Sequence, residues 1–154
     1  MKYVLLILGM FVVNQISGQN KLEKQLDEFI SHWHEAAAKA DMKAYFDAFS
    51  QNAVFIGTDS SEYWTKTTFY EWAKPYFDRG KAWTLKANSR HIYIADNKKI
   101  AWWDELLYTS SGTWIGTGVL QKKGNQWFIM HYTLSVTIPN EKMKKIVEIL
   151  KSSD

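Results

Sequence analysis

Asn97-Lys98, Ser111-Gly112 and Gly124-Asn125 are dipeptides of the types that make two-residue hairpin turns. Turns of that length fix strand register, and the register sets Arg90, Glu105, Gly118 and His131 in one cross-strand row. With neighbouring strands about 4.8 Å apart, the missing side chain at Gly118 opens a gap between a carboxylate and an imidazole. Arg90 favours the charged form of Glu105, burial among aromatic residues opposes it, and His131 can give or take a proton near neutral pH. Such a row suits acid–base chemistry without a cofactor, such as proton abstraction beside a carbonyl or elimination of water. It also has a structural reading, in which Arg90 and Glu105 are a cross-strand ion pair and His131 bonds to the backbone. The same register puts His91, Asp104, Val119 and Met130 on the opposite face, and one extra turn residue or a bulge inverts the assignment of a strand.

Other residues invite the same two-sided reading. Asp59 follows a short apolar run, where it can serve as a general base or as a turn or cap residue. His32 and His34 are two apart on a helix and so do not share a face, and no His-x-x-x-His pair exists, so no metal site is expected. Trp64, Trp72, Trp83, Trp103 and Trp114 can form an aromatic wall for a flat apolar ligand, or plain core, and the two roles are compatible.

The elements that must position these groups follow from periodicity. Leu22, Leu26, Phe29, Ile30, Trp33 and Ala37 recur at spacings of three and four, which predicts a helix over 21–40. Asp41 and Thr65 are N-cap residues for two further helices, one carrying Met42, Tyr45, Phe46 and Phe49, the other Phe69, Trp72, Ala73, Tyr76 and Phe77. Pro75 predicts a kink or an early end to the latter. Between them Ala53–Ile56 reads as a short strand. From Ala82 to Pro139 β-branched and aromatic residues broken by turns predict a four-stranded antiparallel meander, and Glu141–Leu150 a short closing helix. Helices first and a meander afterwards is an α+β order, whose sheet must curve to cover its apolar face.

Composition narrows the classes. The chain has 154 residues, 16% of them aromatic, with eight tryptophans and no cysteine. That is one folding domain without disulfides, thiol catalysis or thiolate metal sites. Met1-Lys2, the apolar run Tyr3–Val13 and the small, polar Ser17-Gly18-Gln19 read as a secretory signal peptide over residues 1–19, leaving a domain over 20–154. The apolar run is too short to span a bilayer, so the expectation is an exported protein, periplasmic or extracellular, with no membrane association after cleavage. The formal charge of +3, about +2 without Lys2, lies scattered among acids, and no nucleic-acid partner is expected.

Trp33-His-Glu-Ala-Ala-Ala38 with Tyr45-Phe46, Ala53–Asp59, and the sheet motifs Ala101–Glu105, Gly116–Leu120 and Trp127–Ser135 resemble the SnoaL-like group of the nuclear transport factor 2 superfamily. The resemblance implies a cone: N-terminal helices packed on a strongly curved, mainly antiparallel sheet, with a short C-terminal helix and a pocket at the open end, frequently in a dimer. Where related sequences carry an arginine before the Gly-Ser/Thr-Gly element this chain has Ile115, which weakens any anion contact carried over to that point. Comparison with the isomerase branch implies a slip in the last strand that turns Met130, Tyr132 and Leu134 into the cone in place of His131. The expected function is binding of a small apolar or aromatic molecule, with Arg90, Trp103, Trp114, Gly118 and Tyr132 as contacts and no cofactor. The alternatives are an isomerase, cyclase, dehydratase or hydrolase using Glu105, His131 or Asp59, and a dimeric interaction module without catalysis.

Overall fold

The computed structural model describes residues 2–152, with side chains from Asn20 onward. The signal peptide expected over 1–19 lies outside the residues whose side chains are described. The elements run α1 (Lys2–Ala38), α2 (Met42–Asp47), β1 (Phe49–Ile56), β2 (Tyr63–Thr65), α3 (Lys66–Asp78), β3 (Lys86–Ile94), β4 (Ile100–Thr109), β5 (Gly112–Lys123), β6 (Gln126–Val136), a short 3₁₀ turn (Asn140–Lys142) and α4 (Met143–Lys151). The strands form one sheet in the order β2-β1-β6-β5-β4-β3. The meander β3 to β6 is antiparallel, while β1 joins the far edge of β6 in parallel. Among the described residues no helix is long and apolar enough to cross a membrane.

Both expected caps are present. The Asp41 carboxylate accepts from the Ala44 N–H at 2.9 Å, and the Thr65 hydroxyl from the Thr68 N–H at 3.3 Å, each satisfying a donor that the first helical turn leaves free. Pro75 does not end α3 early. It sits in the last turn, and the helix runs on to Asp78, before Gly80 takes a φ of +70°. Helices and sheet share one core in which Leu26, Ile30 and Trp33 of α1 meet Trp103, Leu120 and Tyr132 of the sheet, all at most 2% exposed.

The register departs from expectation at two places. Arg90 does pair with Glu105. The second turn, however, is Ser110-Ser111, because Thr109 pairs with Gly112, so Glu105 faces Gly116 and Gly118 faces Trp103. In β6, Leu120 pairs with Ile129 and Val119 with His131, which leaves Met130 as an extra, bulged residue. Beyond it the strand changes parity: Tyr132 and Leu134 turn into the core and His131 to the outer face.

Gly118 therefore opens no space for a ligand. A Cβ there would stand 2.1 Å from Cη2 of Trp103, whose indole already covers the strand. Likewise a Cβ on Gly116 would lie 2.2 Å from the Tyr132 hydroxyl. The two glycines let Trp103 of β4 and Tyr132 of β6 fold over β5 and stack, ring centroids 5.6 Å apart. Gly118→Ala is expected to lose about 1–3 kcal/mol through overpacking, measured as a lower urea midpoint with an unchanged slope. A variant as stable as the parent would show that Trp103 has room to move.

Candidate functional site

Inside the cone lies a carboxylate with no access to water. Glu105 has a fully buried side chain, brought to the concave face by the alternation of β4. Its Oε1 accepts from His34 Nε2 at 2.8 Å, Trp103 Nε1 at 3.1 Å and the Tyr132 hydroxyl at 3.0 Å. Its Oε2 accepts from Arg90 Nε at 2.9 Å and pairs with Nη2 at 2.8 Å. An indole N–H and a guanidinium can only donate, so the carboxylate is ionised. Burial pushes its pKa up, but the hydrogen bond and charge of His34, the charge of Arg90 and the Trp103 bond together outweigh this and hold it at about 2. The Tyr132 phenol is driven well above its ordinary value by burial and then by Glu105.

Arg90 is divided between two elements. While Nε and Nη2 face Glu105, Nη1 donates to Asp27 Oδ1 at 2.6 Å, the Asp27 carbonyl at 3.1 Å and Ser31 Oγ at 2.9 Å. Asp27, Ser31 and His34 lie on α1 at spacings of four and three, so one stripe of that helix meets the pair. His34 is itself buried, and its Nδ1 has no hydrogen-bond partner. With five contacts on two oxygens, Glu105 has no lone pair directed at a ligand; its chemistry is to hold α1 against the sheet.

A second feature opens at the mouth of the cone. A cavity of about 190 Å³ lies between β1, β2, α3 and the chain leading into β3. Trp64, Phe69, Trp72 and Trp83 are among the residues that line it. Trp64 and Phe69 are nearly parallel at 5.4 Å, Phe69 and Trp83 at 5.8 Å, and Trp64 and Trp72 lie 4.7 Å apart. The local sequence explains this: Trp64 is the middle residue of β2, Thr65 ends that strand and caps α3, and the first two turns of α3 bring Phe69 and Trp72 back beside Trp64. Phe55, Leu134 and Trp114 line the cavity from the sheet, and Thr58 and Glu62 of the β1–β2 connection line it as well.

The profile of the SnoaL-like domain matches residues 26–139. The chain belongs to the SnoaL-like family. The match runs from Leu26, in the second half of α1, to Pro139 before the 3₁₀ turn, and so includes both features. Solved structures agree in fold. An NTF2-like protein of unknown function from Pseudomonas putida KT2440 is 14% identical, with a TM-score of 0.66 over 80% of this chain and 92% of that one. A candidate dehydratase of the NTF2-like family from Streptomyces avermitilis is 8% identical, TM-score 0.67, over 79% and 99%. The association domain of C. elegans CaMKII is 13% identical, TM-score 0.64, over 77% and 98%. Among curated proteins, none matches this chain in sequence.

In this SnoaL-like chain the residues singled out from sequence fall in separate places. Glu105, Arg90, Trp103 and Tyr132 are together in the buried network, Gly118 lies under Trp103, and Trp114 lines the mouth cavity. His131 is on the outer face, its Nε2 2.8 Å from Thr133 Oγ1. Asp59 organises the β1–β2 turn, accepting from the Ser61 N–H at 2.8 Å and the Ser61 hydroxyl at 2.5 Å, and those bonds lower its pKa. His34, Asp27 and Ser31 were missed because their partners lie 59 to 71 residues away, a separation that no hairpin arithmetic reaches. Glu62 gave no signal beyond its place in a turn.

The unfolded form of Glu105 titrates near 4.5 and the folded form near 2. Between those values the unfolded chain binds more protons, so stability rises with pH there. A contribution of about 3 kcal/mol is expected to be complete above pH 5 and to drain away towards pH 2. Urea unfolding across that range checks it, and Glu105→Gln should both remove this pH dependence and cost about 3–5 kcal/mol at neutral pH. An unchanged pH profile in the variant would contradict the assignment.

Proposed function

We propose that this SnoaL-like chain is an exported protein that binds one small apolar or aromatic molecule in the tryptophan-lined cavity at the mouth of the cone. The observation that carries the reading is that cavity: concave, about 190 Å³, and walled by rings with few polar groups, the general character of a small-molecule site. A cavity of about 150 Å³ holds benzene, which sets the ligand at roughly one or two rings. Binding is favoured over catalysis because the candidate proton-transfer groups do not converge: Glu105 is enclosed by its donors, His131 faces outwards and Asp59 holds a turn. Export rests on the leader-like composition of residues 1–19.

A thermal-shift screen with single-ring and two-ring aromatics tests this. A ligand at a hundred times its Kd adds about 2.7 kcal/mol, a readily measured shift. Trp72 is 40% exposed, so Trp72→Ala should weaken such a ligand about tenfold or more with little loss of fold. A broad library that gives no shift, or hits indifferent to Trp72→Ala, would remove the reading.

The outer sheet face supports a second role, self-association. Tyr93, Trp102, Leu106 and Tyr108 stand there 37–53% exposed, Tyr93 and Trp102 stacked at 5.7 Å, and aromatic residues are enriched at protein interfaces. A homodimer through this face predicts a melting temperature that rises with protein concentration and a Trp102→Lys variant that stays monomeric in light scattering. A concentration-independent melting temperature would exclude it.

A further inference from the structure

Resting on the binding role of the mouth cavity, the geometry points to an organic ammonium ion as its ligand. The only ionisable group among the lining residues is Glu62. Its carboxylate lies over Gly57, another lining residue: a Cβ there would be 2.1 Å from Glu62 Oε2. Among the described residues, the sole side-chain hydrogen bond it makes is from the Asp59 N–H, at 3.2 Å. No Lys, Arg or His among the described residues pairs with it.

A carboxylate left unpaired beside an apolar cavity repels an anion and gains nothing from a hydrocarbon, whereas a cation brought to it recovers the cost of its partial desolvation. The remaining wall works in the same direction. Ring faces attract cations through their quadrupoles, indole most strongly, and quaternary ammonium groups are held in aromatic cages on this principle. Trp64, Trp72 and Trp83 supply indoles to the lining of the cavity, and Glu62 is part of the same lining. A trimethylammonium group presents an apolar surface to the rings and a diffuse positive charge to the carboxylate, so it satisfies both at once.

Choline and 3,3-dimethylbutan-1-ol, which carry the same shape with and without the charge, separate this from simple apolar binding by titration calorimetry. Choline is expected to bind at least about tenfold more tightly than the alcohol. Glu62→Gln should bring the two within about twofold by weakening choline alone, and salt should weaken only choline. Near-UV circular dichroism checks that the variant keeps its fold, and the comparison in the parent protein stands without it. Equal binding of the two molecules would overturn the ammonium assignment while leaving the cavity as a binding site. Choline binding unaffected by Glu62→Gln would overturn it too, by placing the cation elsewhere. Silence from both molecules, together with silence from neutral aromatics, would overturn the cavity reading itself.

Discussion

The buried charge of Glu105 is the constraint on which the remaining structure depends. An ionised carboxylate out of water is strongly unfavourable unless every lone pair is met, and here the donors come from four elements: α1, β3, β4 and β6. Each of those elements is thereby fixed in depth and rotation relative to the others. Apolar burial of Leu26, Ile30 and Trp33 is non-directional; the Asp27–Arg90–Glu105–His34 chain adds directional bonds that one position of α1 satisfies. Buried ion networks contribute less to net stability than to choosing one arrangement among several of similar packing energy, and a helix laid across a curved sheet has that ambiguity.

Aromatic residues divide into two populations around this network. Trp33, Tyr45, Phe49 and Tyr132 interlock below it, with centroid separations of 4.8 to 5.6 Å. Trp64, Trp72 and Trp83 gather at the mouth, where α3 is attached by a three-residue strand and a single threonine cap. The buried set packs as core, while the mouth set surrounds open volume. Composition reports the total of both and says nothing of their partition.

That limit shows how far residue types reach. Helix periodicity, the Asp41 and Thr65 caps and the hairpin dipeptides are local signals, and they located most of the helices, the meander and the Arg90–Glu105 pairing. The second turn was displaced by one residue because Ser110-Ser111 and Ser111-Gly112 are both plausible turn dipeptides, which moved the expected row from Gly116 to Gly118. The partners on α1, the donor His34 and the acceptors Asp27 and Ser31, were illegible because tertiary packing, not spacing, brings them to Glu105 and Arg90. The parity of β6 was legible only as a pair of alternatives, since a bulge leaves no mark in composition.

The bulge at Met130 gives β6 something like a reading frame. Alternation along a strand is a two-letter phase, inside or outside, and the extra residue advances that phase by one between Ile129 and Tyr132. A substitution in this strand alters one position by degree. The loss or gain of a single residue near Met130 would instead exchange the two faces over the whole remaining strand, bringing His131 and Thr133 to the core and expelling Tyr132 and Leu134. The inside and outside of β6 therefore depend more on its length at this point than on the identity of any one residue beyond it.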